Sequence, residues 1–294
     1  MKIAAAAYHP QWHPSWNDMQ AKLTSWVADA AGQGAELLVF PEYAGVEAGL
    51  IGSPDAASKT ATQWSAHLAK HASAWASFHA DLAKQYGVYI VAGSLPWSTP
   101  RGLVNAAAFC APDGTWAVQE KLILTPYERE EMQLHPGDAL QIFETSLGNI
   151  GILICYDSEF PLQARALVTA GADVIVVPSC TDLPAGQTRV RQSCRARAIE
   201  GQCLIVQAPL VGVVPDCEII DHSTGRVGFF CPPDHGLPPD GIIAQGQTDD
   251  PAWVIAAVDP IAIAGARKTG QVGNFTHWAE QDDRIKTVTC MPLG

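Results

Sequence analysis

The sequence predicts an α/β protein, and three observations carry that expectation. Short buried apolar runs at residues 3–8, 37–40, 88–91, 150–154 and 174–177 alternate with segments of helical period. Several runs are joined by hairpin signals, the clearest being Pro112-Asp113-Gly114 between residues 106–110 and 115–119. The same order of elements recurs in the second half without any residue-level repeat. Hairpins among crossover units imply mixed sheets, and a plain doubly wound sheet is the competing architecture.

Taken in chain order, residues 3–8 read as a short strand. From Asn17, the expected N-cap, Met19, Leu23, Trp26, Val27 and Ala30 recur at helical spacing until Gly32 and Gly34. Residues 37–40 form a continuous buried strand ending at Pro41-Glu42-Tyr43. One long helix is expected next, with Trp64, Leu68, Trp75, Phe78 and Leu82 on one face and Gly87 as its stop. After the 88–91 strand, the hairpin runs into Lys121. Residues 140–143 and 150–154 read as neighbouring strands about Leu147-Gly148-Asn149. A helix at 161–170 carries proline in its first turn, where the missing N–H costs nothing. Strand 174–177, an arginine-bearing helix at 187–201, strand 204–207, a hairpin about Ser223-Thr224-Gly225 and strand 253–258 follow. Residues 231–251 read as a surface excursion, and the tail after Pro260 shows no strong period.

The chain has 294 residues, enough for one large core. Hydrophobic residues at 48% against 16% charged describe a globular chain rather than a disordered one. A net charge of −12 argues against nucleic acid and anionic membrane surfaces, which need a basic face. No stretch approaches the ~20 apolar residues of a membrane span, and the start lacks the pattern of a signal peptide. Eight scattered cysteines without a C-x-x-C pair read as reduced thiols, so a cytoplasmic location is expected.

Three residues stand out chemically. Glu42, Lys121 and Cys155 each end an apolar run, so each is expected at the same rim of a sheet core. A carboxylate made less acidic by partial burial can deprotonate a thiol. The thiolate can then attack, and an ammonium can hold the oxyanion that forms.

In these positions the chain resembles the nitrilase superfamily of carbon–nitrogen hydrolases. The resemblance rests on Leu38-Val39-Phe40-Pro41-Glu42-Tyr43, Glu120-Lys121-Leu122, and Gly151-Ile152-Leu153-Ile154-Cys155-Tyr156-Asp157 with Phe160-Pro161. It extends through Pro126-Tyr127-Glu128-Arg129, Val177-Pro178-Ser179 and Arg195-Ala196-Arg197-Ala198-Ile199-Glu200. It implies a four-layer α-β-β-α sandwich with two mixed sheets over a single domain at residues 1–260. Residues 261–294 would then be a tail available to pack on an oligomer partner. It also implies a Glu42–Lys121–Cys155 triad, supported by Glu128 and by the backbone N–H of Tyr156 as a second oxyanion donor. Tyr43, Cys180 and Thr181 are expected to line the substrate pocket. Neither metal nor organic cofactor is implied, and a homodimer or larger homo-oligomer is.

Cys-Tyr-Asp followed by Phe-Pro is similar to amidase members, including those acting on ω-amides of small dicarboxylic acids. The expected activity is therefore hydrolysis of a small-molecule amide through a thioester. N-carbamoyl amide hydrolysis and nitrile hydrolysis use the same triad and are the alternatives; a catalytically retired scaffold is the non-enzyme one. Other signals are weaker. Cys180 follows a buried strand and is the rival nucleophile. Glu128 sits in an acidic run that reads by default as solvated. His67 and His71 have zinc-pair spacing but no third ligand. Arg189 to Arg197 read as a charged helix face, one member of which could bind a substrate carboxylate.

Overall fold

Strand β1 (Lys2–Ala6) already dictates layers, because its two faces are both apolar and a strand buried on both sides must lie inside a sandwich. In the computed structural model, which describes residues 1–52 and 59–293, Ile3 and Ala5 point into one core. Ala4 and Ala6 point into another. The same alternation divides β2 (Leu37–Val39), where Leu38 faces one core while Leu37 and Val39 face the other. Between them runs α1 (Trp16–Gly32), whose N-cap is Ser15 rather than Asn17; the Ser15 hydroxyl accepts from the Asp18 N–H.

Two helices, α2 (Ala61–Leu68) and α3 (Ala72–Tyr86), replace the single long helix expected there. The chain tightens at Ala69–His71, where Lys70 N bonds His67 O and His71 N bonds Leu68 O, and then restarts. Apolar spacing alone cannot register such a break, since Trp64, Leu68 and Trp75 still reach the same core. The His67 and His71 rings meet edge to face, and His67 Nε2 engages the Gly49 carbonyl at 3.2 Å.

Next come β3 (Tyr89–Thr99), β4 (Gly102–Cys110) and β5 (Trp116–Glu120), consecutive antiparallel neighbours. A five-residue helix, α4 (Pro126–Glu130), leads to β6 (Ile142–Thr145) and β7 (Gly148–Ile152). Then follow α5 (Pro161–Thr169), β8 (Val174–Ser179), α6 (Pro184–Gly201) and β9 (Leu204–Pro209). The expected hairpin about Ser223-Thr224-Gly225 is not formed. Instead β10 (Gly212–Val213) pairs β11 (His222–Ser223) across residues 214–221. Thr224 and Gly225 are held away by the Asp249 carboxylate. Beyond them, β12 (Gly228–Phe230) pairs β13 (Ile242–Gln245), so the surface excursion at 231–251 contains an edge strand. Strand β14 (Trp253–Ala257) returns to pair with β1. The tail forms helix α7 (Pro260–Thr269), anchored by Arg267, whose guanidinium bonds the carbonyls of Ala172, Gly201 and Gln202.

Among the described residues the strands make two six-stranded mixed sheets, ordered β14-β1-β2-β3-β4-β5 and β13-β12-β9-β8-β7-β6. Helices α1, α2 and α3 cover the outer face of the first. The inner face of the first sheet shares one core with the second sheet, α5 and α6. The result is α-β-β-α. No described helix is long and apolar enough to cross a membrane.

A buried ionic knot holds the first helical layer. Glu47 accepts from the Tyr8 hydroxyl, His13 Nε2 (2.7 Å), Lys22 Nζ (2.7 Å) and the Gln11 N–H (3.0 Å). Nearby His79 lies wholly buried among Phe40, Trp75 and Phe78, with only its Nδ1 bonded, to the Trp75 carbonyl. Burial lowers its pKa from 6.5 to about 4, so the unfolded chain takes up the proton first. Stability is therefore expected to fall as pH drops from 6.5 toward 4, by about 3 kcal/mol from this group. Urea midpoints for the protein and His79→Phe measure this: the variant's curve should be flatter across that window, and parallel curves would contradict it.

Candidate active site

Each residue of the expected triad follows the end of a strand. After β2, Phe40 N still bonds the Val91 carbonyl at 2.8 Å, and Pro41 then turns the chain so that Glu42 enters the interior. The turn needs room: at Gly93 (φ 73°) an added Cβ would meet the Pro41 carbonyl at 2.2 Å. Tyr43 takes a left-handed conformation (φ 59°), and its N–H is held by the Ser94 hydroxyl at 3.1 Å.

Lys121 directly follows β5, with its N–H on the Asn105 carbonyl and its carbonyl accepting from Gly137 N, each at 2.8 Å. The next two N–H groups, of Leu122 and Ile123, are gathered by the buried Asp157 carboxylate at 3.2 and 2.8 Å. Asp157 thus ties the lysine loop to the cysteine turn. Cys155 follows β7 by three residues and opens a 3₁₀ turn over Cys155–Glu159 with φ 48°, a conformation a β-carbon disfavours. The Tyr156 N–H, in the first turn, meets no acceptor among the described residues.

The side chains converge. Lys121 Nζ lies 2.7 Å from Glu42 Oε1, 2.9 Å from Glu128 Oε1 and 2.7 Å from Glu128 Oε2. All three groups are almost inaccessible, at 1%, 1% and 2% exposure for Glu42, Lys121 and Glu128. Cys155 Sγ reaches the Cys180 carbonyl at 3.5 Å. The charge of the Glu42 carboxylate bears on the thiol and raises its pKa further than burial alone.

Glu128 is no member of a solvated run. It completes a capping box with Thr125 at the start of α4, accepting from its N–H (2.9 Å) and hydroxyl (3.0 Å). It also accepts from Tyr43 OH at 2.7 Å.

Burial and the neighbouring charges set the protonation states. Burial raises the Glu42 carboxyl, and Lys121 only partly offsets this. For Lys121 burial acts downward, but Glu128 and Glu42 outweigh it and hold the ammonium well above its ordinary range. Glu128 is also pushed up by burial, yet Lys121 and its hydrogen bonds leave it below the usual carboxylate value. Burial, then Glu42, pushes the Cys155 thiol far up, so it rests protonated. Cys180 supplies the site through its backbone: its N–H donates to Glu42 Oε2 at 3.0 Å, while burial keeps its own thiol un-ionised.

A cavity of about 800 Å³ opens over these groups. Glu42, Lys121, Cys155 and Glu128 line it together with Tyr43, Tyr156, Cys180 and Thr181, so every expected site residue faces one space. Sequence reading passed over Asn105, whose Nδ2 bridges Glu42 Oε1 and Glu128 Oε1 at 3.0 Å each. A lone amide within the apolar strand Gly102–Cys110 was the available signal. It also passed over Asp157 as the link between loops and Gly93 as the room-maker.

Two facing mixed sheets with helical outer layers bring a carboxylate, an ammonium and a thiol to one cavity, which makes this an α-β-β-α sandwich with its polar groups gathered beyond the strand ends. The model of the carbon–nitrogen hydrolase family matches residues 2–226, and the chain belongs to that family. It is 37% identical over 196 residues to "Probable hydrolase YhcX" of Bacillus subtilis, covering 67% of this chain but 38% of that protein. It is 28% identical to the omega-amidase NIT2 of Xenopus tropicalis, covering 62% of this chain and 65% of that one. The chain thus matches less than two thirds of either relative's length. Among solved structures, a mutant of the amidase from Nesterenkonia sp. AN1 superposes with TM-score 0.69 at 20% identity, covering 97% of this chain and 96% of that chain. That mutant, in which a glutamine replaces a glutamate, shows covalent addition of the acetamide moiety of fluoroacetamide at its active-site cysteine. Nit3 of Saccharomyces cerevisiae, a nitrilase-superfamily member, superposes with TM-score 0.68 at 20% identity, covering 91% of this chain and 93% of that chain.

Proposed function

We propose that the protein hydrolyses small-molecule amides to a carboxylic acid and ammonia through a thioester on Cys155. The observation that carries this reading is the buried Lys121 ammonium, bound by both Glu42 and Glu128 in a cavity that Cys155 also lines. An idle ionic cluster this deeply buried is expensive to keep.

Because the thiol rests protonated, attack and proton loss go together: Glu42 accepts the proton as Sγ adds to the amide carbon. The oxyanion is met by Lys121 Nζ and the Tyr156 N–H. Collapse breaks the C–N bond, and the proton held on Glu42 leaves with the ammonia. A water deprotonated by Glu42 then adds to the thioester carbonyl, releasing acid and returning the proton to sulfur. Glu128 fixes the ammonium so that it faces the reacting oxygen instead of swinging toward solvent.

Ammonia release from short aliphatic amides, with rapid-quench intact-mass analysis, tests the reading. An acyl group on Cys155 during turnover is expected; turnover through an adduct elsewhere, or with none, removes Cys155 from its role. Since Glu42 must be ionised and its pKa is raised, the acid limb of kcat/KM is expected above pH 4.5. A limb at or below that value would dismiss Glu42 as the base.

A further inference from the structure

The reading as an amide hydrolase fixes where the carbonyl sits, and the opposite wall of the cavity then describes the rest of the substrate. Among the described residues, six carboxylates line the space, from Glu42, Glu128, Glu159, Asp182, Glu218 and Asp221, against the cations Lys121 and Arg189. Lys121 is already shared by Glu42 and Glu128. Arg189, the arginine of α6 that lines the cavity, is 62% exposed and touches Glu159 only through its Nε, at 3.5 Å, so the wall carries one loosely paired cation against several acids. Among the described residues, Asp182, Glu218 and Asp221 have no lysine or arginine within ion-pair distance.

These acids stand on a built wall. Glu218 opens a 3₁₀ turn, Glu218–Ile220, whose Ile219 and Ile220 are buried and whose Ile220 N bonds the Cys217 carbonyl at 3.0 Å. The Asp221 carboxylate accepts from His222 N at 2.7 Å, and the His222 ring bonds the Asp182 carbonyl at 3.0 Å. Thr181 and Thr224 exchange two further bonds at 2.8 Å, closing the wall onto the Cys180 strand end. Tyr127 lines the same cavity, and its hydroxyl is pushed up to about 12, by partial desolvation first and then by Glu218 and Asp221.

We propose that the substrate is an amide whose non-reacting end carries a positive charge, a protonated amine or a guanidinium, selected by Glu218, Asp221 and Asp182. An amide ending in a second carboxylate meets unpaired negative charge on the same wall and is disfavoured. This deepens the amidase reading and rests on it. Asp182, Glu218 and Asp221 are exposed, so the discrimination expected is about tenfold and weakens with salt.

Ammonia release at about pH 8, where an ordinary histidine is neutral, should be compared for δ-aminovaleramide, hexanamide and glutaric acid monoamide. The expected order of kcat/KM is cationic, neutral, anionic, with the spread carried mainly by KM and compressed by added salt. The Glu218→Gln/Asp221→Asn double variant should bring the cationic-to-anionic ratio down toward one. A wild-type preference for the anionic amide, equal rates, or a ratio unchanged in the double variant overturns the proposal.

A second readout needs no turnover. Modification of Cys155 by aminoethyl methanethiosulfonate should outpace that by the sulfonatoethyl reagent by about tenfold beyond their ratio on a free thiol. Peptide mapping assigns the modified cysteine. If none of the amides is cleaved but this bias is present, the amidase reading fails while the charge preference stands. If amides are cleaved and the bias is absent or reversed, the charge preference fails and the amidase reading stands.

Discussion

Cys155→Ala is expected to lower kcat for amide hydrolysis by about 10⁴-fold or more, because no other group in the cavity can form the acyl-enzyme. Cys180 is no substitute, since burial keeps its thiol protonated and its backbone is committed to Glu42 and Cys155. The fold should hardly notice the change. Cys155 Sγ makes one long hydrogen bond, to the Cys180 carbonyl, and alanine keeps the same backbone demand at φ 48°. Cys155→Gly separates the two roles: equally inactive, it should be about 1 kcal/mol more stable than Cys155→Ala because the left-handed turn no longer opposes a Cβ. Urea midpoints of the two variants decide this. A glycine variant no more stable than the alanine one would show that the turn stores no strain.

Lys121→Met is expected to cost about 3–5 kcal/mol at neutral pH in addition to abolishing turnover. The lysine is the shared counter-charge of Glu42 and Glu128, and both carboxylates stay buried when it is gone. Asn105 can donate to each but neutralises neither. The variant has a distinctive pH response. Without the ammonium, both carboxyl pKa values rise in the folded state, so protonation relieves the repulsion as pH falls. Its deficit relative to the parent should therefore shrink between about pH 7.5 and pH 5. Denaturation at both pH values gives the answer, and an equal deficit at each would assign the loss to packing instead of charge.

How far the sequence carries can be followed through single elements. The acid, the lysine and the cysteine were legible because each interrupts an apolar run at its end, and strand ends deliver side chains to a sheet rim. Strand positions were legible for the same reason: β1, β2 and β8 are continuous buried runs. The break between α2 and α3 was not, since the apolar stripe passes through it unaltered. Nor was α7 in the tail, which is secured by Arg267 reaching three distant carbonyls. Glu128 shows the limit most clearly. Its neighbours Arg129, Glu130 and Glu131 suggest solvent, yet a short capped helix turns it alone inward, where it bonds Lys121, Tyr43, Asn105 and Thr125.

By itself the sequence determined which polar groups stand at the strand ends and how the layers alternate, because both are written in local pattern: polarity, period and the residue types at strand ends. Only the tertiary structure decided the charge balance of the cavity and the pairing that tunes each ionisable group. Coulomb interactions depend on distances between residues far apart in the chain, as between Glu42 and Lys121 or between Tyr127 and Asp221. No local pattern encodes such a separation; packing of the two sheets and their loops sets it.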